Sequence, residues 1–189
     1  MRKPKWLFWL GSALMVGGAA FLASYWWAMH ERAVAQRRAK EWLNRSITVD
    51  HRSPAPPVRR GDVVGEIQIP RLRLSVMVFE GDDAGILKQG AGHIPGTAFP
   101  SGRGNIGIAA HRDTYFRPLR NIHVNDVIAL KTQAGASRYA VTETEIVQPS
   151  DIGVLAPAPG RDITLVTCYP FYFVGSAPKR FIVHAHKIG

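Results

Sequence analysis

The stretch Trp6–Met29 carries no charged residue, and that run constrains the fold more than any other feature of the chain. As a helix rising about 1.5 Å per residue it is long enough to cross a hydrocarbon core of about 30 Å. Trp6, Trp9, Tyr25, Trp26 and Trp27 sit near its two ends, where amphipathic rings favour the membrane interface. A cleaved signal peptide is the competing reading. The run exceeds the usual apolar region of such peptides, and no clear A-x-A site follows it. The expectation is a signal anchor over 6–29, with 1–5 as a short cytoplasmic N-terminus.

Flanking charge leaves the orientation nearly balanced. Arg2, Lys3 and Lys5 favour a cytoplasmic N-terminus, but Arg32, Arg37, Arg38 and Lys40 follow the span, offset only by Glu31 and Glu41. The positive-inside rule therefore does not by itself place the rest of the chain. The formal net charge of +10 first suggests a nucleic-acid binder. Its distribution argues otherwise: eleven Lys or Arg against three Asp or Glu precede Gly61, and thirteen against eleven follow it. The basic residues flank the apolar run, where anionic lipid headgroups are the natural partner. The remainder is close to neutral and carries no footprint for nucleic acid.

His30 to Asn44, rich in Ala, Arg, Glu and Gln, is expected to continue the helix. Ser53, Pro54, Ala55, Pro56 and Pro57 cannot build a core and favour extended polyproline geometry. Residues 30–60 thus read as a juxtamembrane helix and stalk, and 61–189 as the folded domain. That domain reads as mostly β. Ile67 and Ile69 share a face; Leu72, Leu74, Val76 and Val78 repeat at period two. Asp82 and Asp83 are placed to cap a short helix reaching Lys88 and ended by Gly90. Further strands are expected over 105–110, 127–132, 138–146, 163–168 and 180–186, the second and third forming a hairpin around Ala134, Gly135 and Ala136. Short strands separated by turn signals point to a closed barrel, which leaves no sheet edge exposed.

Cys168 is the sole cysteine, so it forms no intramolecular disulfide. A lone thiol is either a small buried apolar group or a nucleophile. Its place favours the second: it ends the buried-strand pattern Ile163–Thr167 and opens a long loop to Lys179. His111 likewise ends an apolar strand, ahead of the polar turn Arg112–Asp113–Thr114. A free thiol, with a pKa of about 8.5, is only a few per cent thiolate at neutral pH. A neighbouring imidazolium depresses that pKa, and the same ring can protonate a leaving amine. Arg180 opens the last strand across the loop, and its permanent charge suits an oxyanion, although on these residues alone Lys179 and Arg180 read first as solvated edge charges. Asp113 could orient His111, but its spacing fits a turn better. His184 and His186 share a strand face without an evident third ligand, so solvent exposure is expected rather than metal binding.

These residues also carry a resemblance. Thr164-Leu165-Val166-Thr167-Cys168 matches the T-L-x-T-C signature of sortases. Gly104 to Thr114 resembles their histidine segment, Arg180-Phe181-Ile182-Val183 their arginine strand, and Gly90 to Gly96, containing His93, a segment upstream of the catalytic histidine. The resemblance spans roughly Val64 to His186, and the segment from Cys168 to Lys179 looks most like class D members. It departs at Ala110, where many relatives place Gly before the His. The resemblance implies a sortase-type β-barrel acting outside the cytoplasm, with Cys168, His111 and Arg180 as catalytic residues. It implies cleavage of an LPxT-type sorting signal after its Thr, a thioester on Cys168, and transfer to an amine of the cell wall or of a protein. It implies no cofactor and no metal. His93, Thr167 and Tyr169 are expected to line the substrate groove. Two alternatives remain from the residues alone. One is another membrane-anchored Cys–His peptidase or transpeptidase, such as an L,D-transpeptidase, whose S-H-G-C motif is absent here. The other is a non-catalytic peptide-binding β-domain with an inert Cys168.

Overall fold

The computed structural model describes residues 5–47, 58–100, 102–173 and 175–188. A single helix, α1, runs from Lys5 to Ile47, followed in the chain by eight strands that close into a barrel. The first part of α1 belongs to a unit of its own, Met1–Ala35, and its last turns belong to the unit that contains the barrel, Gln36–Gly189. In the first unit Trp9, Leu14, Met15, Phe21, Trp26 and Trp27 are exposed. By length and composition α1 is a helix able to cross a membrane.

The strands are β1 (Val63–Ile69), β2 (Leu74–Glu80), β3 (Ala91–His93), β4 (Gly104–Ala109), β5 (Val127–Thr132), β6 (Gly135–Val147), β7 (Arg161–Tyr169) and β8 (Lys179–Lys187). Around the barrel they run β1-β2-β3-β4-β7-β8-β6-β5, with β5 closing on β1. β2–β3 and β4–β7 are parallel; the other neighbours are antiparallel. Side chains alternate across each strand, so Ile67, Ile69, Ile106, Ile108, Ile163, Leu165, Val183 and Ala185 fill the interior. A second short helix, α2 (Ala84–Gln89), is capped by Asp83, whose carboxylate accepts from the N–H of Gly85 and Ile86. Its bidentate bond from Arg60 holds the Asp83 carboxyl well below the usual range, with the two cap bonds adding to the effect.

Three differences from the sequence reading stand out. β3 is an additional strand, only three residues long and built from Ala, Gly and His. Leu72 lies in a single 3-10 turn, Pro70–Leu72, rather than in β2. The hairpin between β5 and β6 is tighter than expected, because Gly135 already pairs with Thr132.

The compact unit that contains the barrel begins at Gln36. Ala39 and Leu43 are buried against Met77, Phe79 and Ile86 on the outside of β2 and α2. Lys40 Nζ lies 2.7 Å from Glu66 Oε1, and Ser75 donates to the same oxygen at 2.6 Å. Burial works to raise the Glu66 carboxyl, but bonds from Lys40, Ser75 and Gln68 outweigh it and hold it below its ordinary value. The last turns of α1 are therefore part of the barrel's packing. The Pro-rich stretch expected to act as a stalk lies largely outside the described residues.

Candidate active site

The ladder between β4, β7 and β8 decides which side chains share a face. Ile163 and Leu165 point inward with Ile106 and Ile108, so Thr164, Val166 and Cys168 point outward. In β8, Arg180 stands directly opposite Cys168 and Ile182 opposite Val166. Directly opposed residues in an antiparallel pair have Cβ atoms about 4.5–5.5 Å apart. Arg180 thus comes to Cys168 by register alone. On the other side, the Ala110 N–H donates to the Val166 carbonyl at 3.2 Å, extending the ladder one residue past β4. Ala110 is inward, which turns His111 to the outer face.

His111, Cys168 and Arg180 accordingly line one cleft of about 360 Å³, together with Arg112, Asp113, Gly175, Ser176 and Ala177. Cys168 is half-buried, the only cysteine, and free. The Arg180 guanidinium donates to the Lys179 carbonyl at 3.0 Å and to the Ala177 carbonyl at 3.4 Å. The site joins a thiol, an imidazole and a fixed cation at the rim of a rigid barrel, the set that nucleophilic attack on an amide requires.

A family model, the Sortase domain, matches residues 67–188. The chain belongs to the sortase family. Sortases are cysteine transpeptidases. Among curated proteins, this sortase is 33% identical to Sortase D of Bacillus subtilis over 129 residues, 68% of this chain and 65% of that protein. It is 31% identical to Sortase A of Listeria monocytogenes, over 56% of this chain and 49% of that one. It therefore spans between about half and two thirds of those relatives' own lengths. Among solved structures, the Sortase D5 transpeptidase of Clostridium perfringens superposes with a TM-score of 0.74 at 26% identity, covering 82% of this chain and 99% of that one.

The three residues expected to line the groove are not in the lining of the cleft around Cys168. His93 is buried: Nδ1 lies 2.8 Å from Glu80 Oε2, and Nε2 faces the Ala98 carbonyl at 3.0 Å and Thr97 Oγ1 at 3.2 Å. It packs edge-on against Phe99. With both nitrogens engaged inside the fold, it does not reach the cleft around Cys168. Thr167 points inward and donates to the Ala110 carbonyl at 2.7 Å, so it fastens β7 to the residue before His111. Tyr169 is half-buried in an aromatic group with Phe171 and Phe181, beside the cleft rather than in its lining.

His186 is exposed as expected and His184 is partly buried, and both have side-chain partners. His184 Nδ1 faces Thr164 Oγ1 at 3.2 Å and Nε2 faces Glu145 at 3.0 Å; His186 faces Asp162 at 2.5 Å. They line a separate hollow further along the outer face, with Asn105, Glu145 and Asp151.

Arg112 is the residue that sequence reading passed over. Its Nη2 donates to the Phe173 carbonyl at 2.6 Å and the Gly175 carbonyl at 3.0 Å, and its guanidinium stands 5.9 Å from the centre of the Phe173 ring. It ties the turn after His111 to the loop after Cys168. Arg120 adds a second tie, donating to the Tyr172 hydroxyl at 2.6 Å.

Proposed function

We propose that this sortase is a membrane-anchored enzyme that cleaves an LPxT-type sorting signal and passes the acyl fragment to an amine. The observation that carries the reading is the convergence of His111, Cys168 and Arg180 on one cleft from three adjoining strands. Cys168 Sγ attacks the carbonyl carbon of the signal's Thr. The carbonyl electrons move onto oxygen, and Arg180 faces that oxyanion. Collapse re-forms the carbonyl and expels the downstream peptide as an amine, which takes its proton from the His111 imidazolium. This leaves a thioester. An acceptor amine then attacks the thioester carbon, neutral His111 takes the amine proton, and Cys168 leaves as thiolate. The same ring acts as acid in one half and base in the other.

α1 supplies the anchor in this reading, single-pass, with the barrel outside the cytoplasm. Its substrates are secreted proteins ending in a sorting signal, and its acceptor is an amine of the cell wall or of another protein. The test is to incubate the full-length protein with a Leu-Pro-Xaa-Thr peptide library and a trial amine, then weigh the protein. A mass increase on Cys168 equal to the upstream fragment, discharged by the amine, is the expected result. Absence of any adduct over the library would remove the transpeptidase reading.

A further inference from the structure

The turn that begins at His111 is held from a direction the chemistry above does not use. β2 pairs with β3 only from Val78 onward, so the Met77 N–H lies beyond the end of that ladder. A side chain from α1 takes the place of the missing strand. Gln36 Oε1 accepts from the Met77 N–H at 2.8 Å, and Gln36 Nε2 donates to the Gln89 carbonyl at 2.5 Å. The same Gln89 carbonyl accepts from the Tyr115 hydroxyl at 2.9 Å, which also reaches the Lys88 carbonyl at 3.3 Å. A carbonyl oxygen has two lone pairs and can serve both donors. Gly90 leaves the room needed: a Cβ there would stand 2.5 Å from the Met77 carbonyl and 2.7 Å from Gln36 Nε2.

Tyr115 lies within the turn that the Phe116 N–H closes onto the His111 carbonyl at 3.0 Å. His111 itself stands one residue past the last ladder bond, at Ala110. Its backbone is therefore held from both sides, by the sheet at Ala110 and by the turn at its own carbonyl. A general acid must sit within hydrogen-bond reach of its proton's destination, and small displacements cost rate. We infer that Gln36 and Tyr115 are positioning residues for His111, acting together through the Gln89 carbonyl. The inference rests on His111 being the acid–base partner of Cys168. It makes a helix outside the barrel a contributor to the reaction rate.

The experiment uses the full-length protein in detergent micelles: wild type, Gln36→Glu, Tyr115→Phe and the double variant. Gln36→Glu keeps an acceptor for the Met77 N–H and removes the donor to Gln89, which separates support of β2 from the link to the turn. Each protein is reacted with the Leu-Pro-Xaa-Thr library, and single-turnover acylation of Cys168, kcat, KM and the melting midpoint are measured. Acylation and kcat should fall about two- to tenfold in each single variant, the scale of one hydrogen bond, with KM changed by less than about twofold. Because both act through one oxygen, the double variant should be no slower than the slower single variant. A lowered melting midpoint with unchanged kcat would make these bonds purely structural and overturn the inference, as would losses that multiply in the double variant. A wild type that forms no acyl-enzyme overturns the transpeptidase reading and this inference with it. A wild type that does, beside either of the other results, overturns this inference alone.

Discussion

Two arginines face the cleft around Cys168, and they are held in different ways. Arg112 is committed to the loop: one nitrogen serves two carbonyls, and the cation rests near an aromatic ring. Among the described residues, Arg180 bonds to carbonyls just before and at the start of its strand, Ala177 and Lys179. A guanidinium has five N–H donors, so Arg180 keeps several for a developing oxyanion. Arg180→Ala is expected to lower kcat by about 10²–10³-fold with a smaller change in KM, the signature of a contact made in the transition state. Arg180→Lys should not restore it fully, because an ammonium lacks the planar fork. Arg112→Ala should act differently. Hydrogen exchange at the amides of Gly175, Ser176, Ala177 and Lys179 should accelerate while β4 and β7 keep their protection; unchanged exchange there would mean the tie holds nothing. Cys168→Ala should abolish the acyl-enzyme and leave the melting transition in place. That Cys168 and His111 share a cleft was suggested by their places at the ends of apolar strands, whereas Arg180 stood out only through the family resemblance. Arg112 was not legible, since its partners are backbone carbonyls some sixty residues away that no side-chain pattern marks. The burial of His93 was not legible either, because it depends on Glu80, Thr97 and Ala98 coming together in space.

At the scale of elements, period two exposed most of the barrel, because each strand has one face on a dry core. β3 lacked that signal: Ala91 and Gly92 are too small to alternate visibly, and the strand is specified by its neighbours. The docked end of α1 was hidden by its composition. Among the described residues there, Ala39 and Leu43 are the buried ones, too few for a legible stripe, and the polar Gln36 and Lys40 add to the contact. Glu66 gives this docking a pH dependence. Its carboxyl is held below the ordinary value in the folded protein. The stabilisation is therefore present above the unfolded carboxyl's range and is lost as pH falls through the lower folded value. Lys40→Met should cost about 1–2 kcal/mol near neutral pH, toward the low end for a charged hydrogen bond because Lys40 is half exposed. The gap in melting midpoint between wild type and Lys40→Met should persist down to about pH 4.3, the ordinary glutamate value, and close only below it. A gap constant from pH 7 to pH 3 would show that the lysine acts through packing and not through its charge. Leu43→Ala, at a site 1% exposed, should cost about 2–5 kcal/mol at any pH.

For the molecule as a whole, the start of the folded unit at Gln36 changes what a shortened protein should do. A chain beginning at Gly61 would uncover Met77, Phe79 and Ile86 and leave Glu66 buried without Lys40. It should melt lower and bind more of a hydrophobic dye than a chain beginning at Gln36; equal melting of the two would mean that the docked turns of α1 add nothing to the fold. Topology is the remaining question at this scale, and charge alone does not answer it. Arg2, Lys3 and Lys5 precede the span, and Arg32, Arg37, Arg38 and Lys40 follow it. Lys40 is, however, already engaged with Glu66, which reduces its weight as a free cytoplasmic anchor once the protein has folded. Long segments translocate largely regardless of a few flanking charges, and more than a hundred residues follow α1. On the proposed function, the acceptor amine and a secreted sorting signal would meet outside the cytoplasm. A reporter active only outside the cytoplasm, fused after Gly189, should therefore be on, and a reporter active only in the cytoplasm should be off. Fusing both to a variant with Arg37 and Arg38 changed to Gln should leave the pattern unchanged, because length rather than local charge sets it. The reverse pattern in the wild-type fusion would place Cys168 away from every secreted substrate, and a peptide transfer seen in detergent would then have no counterpart in the cell.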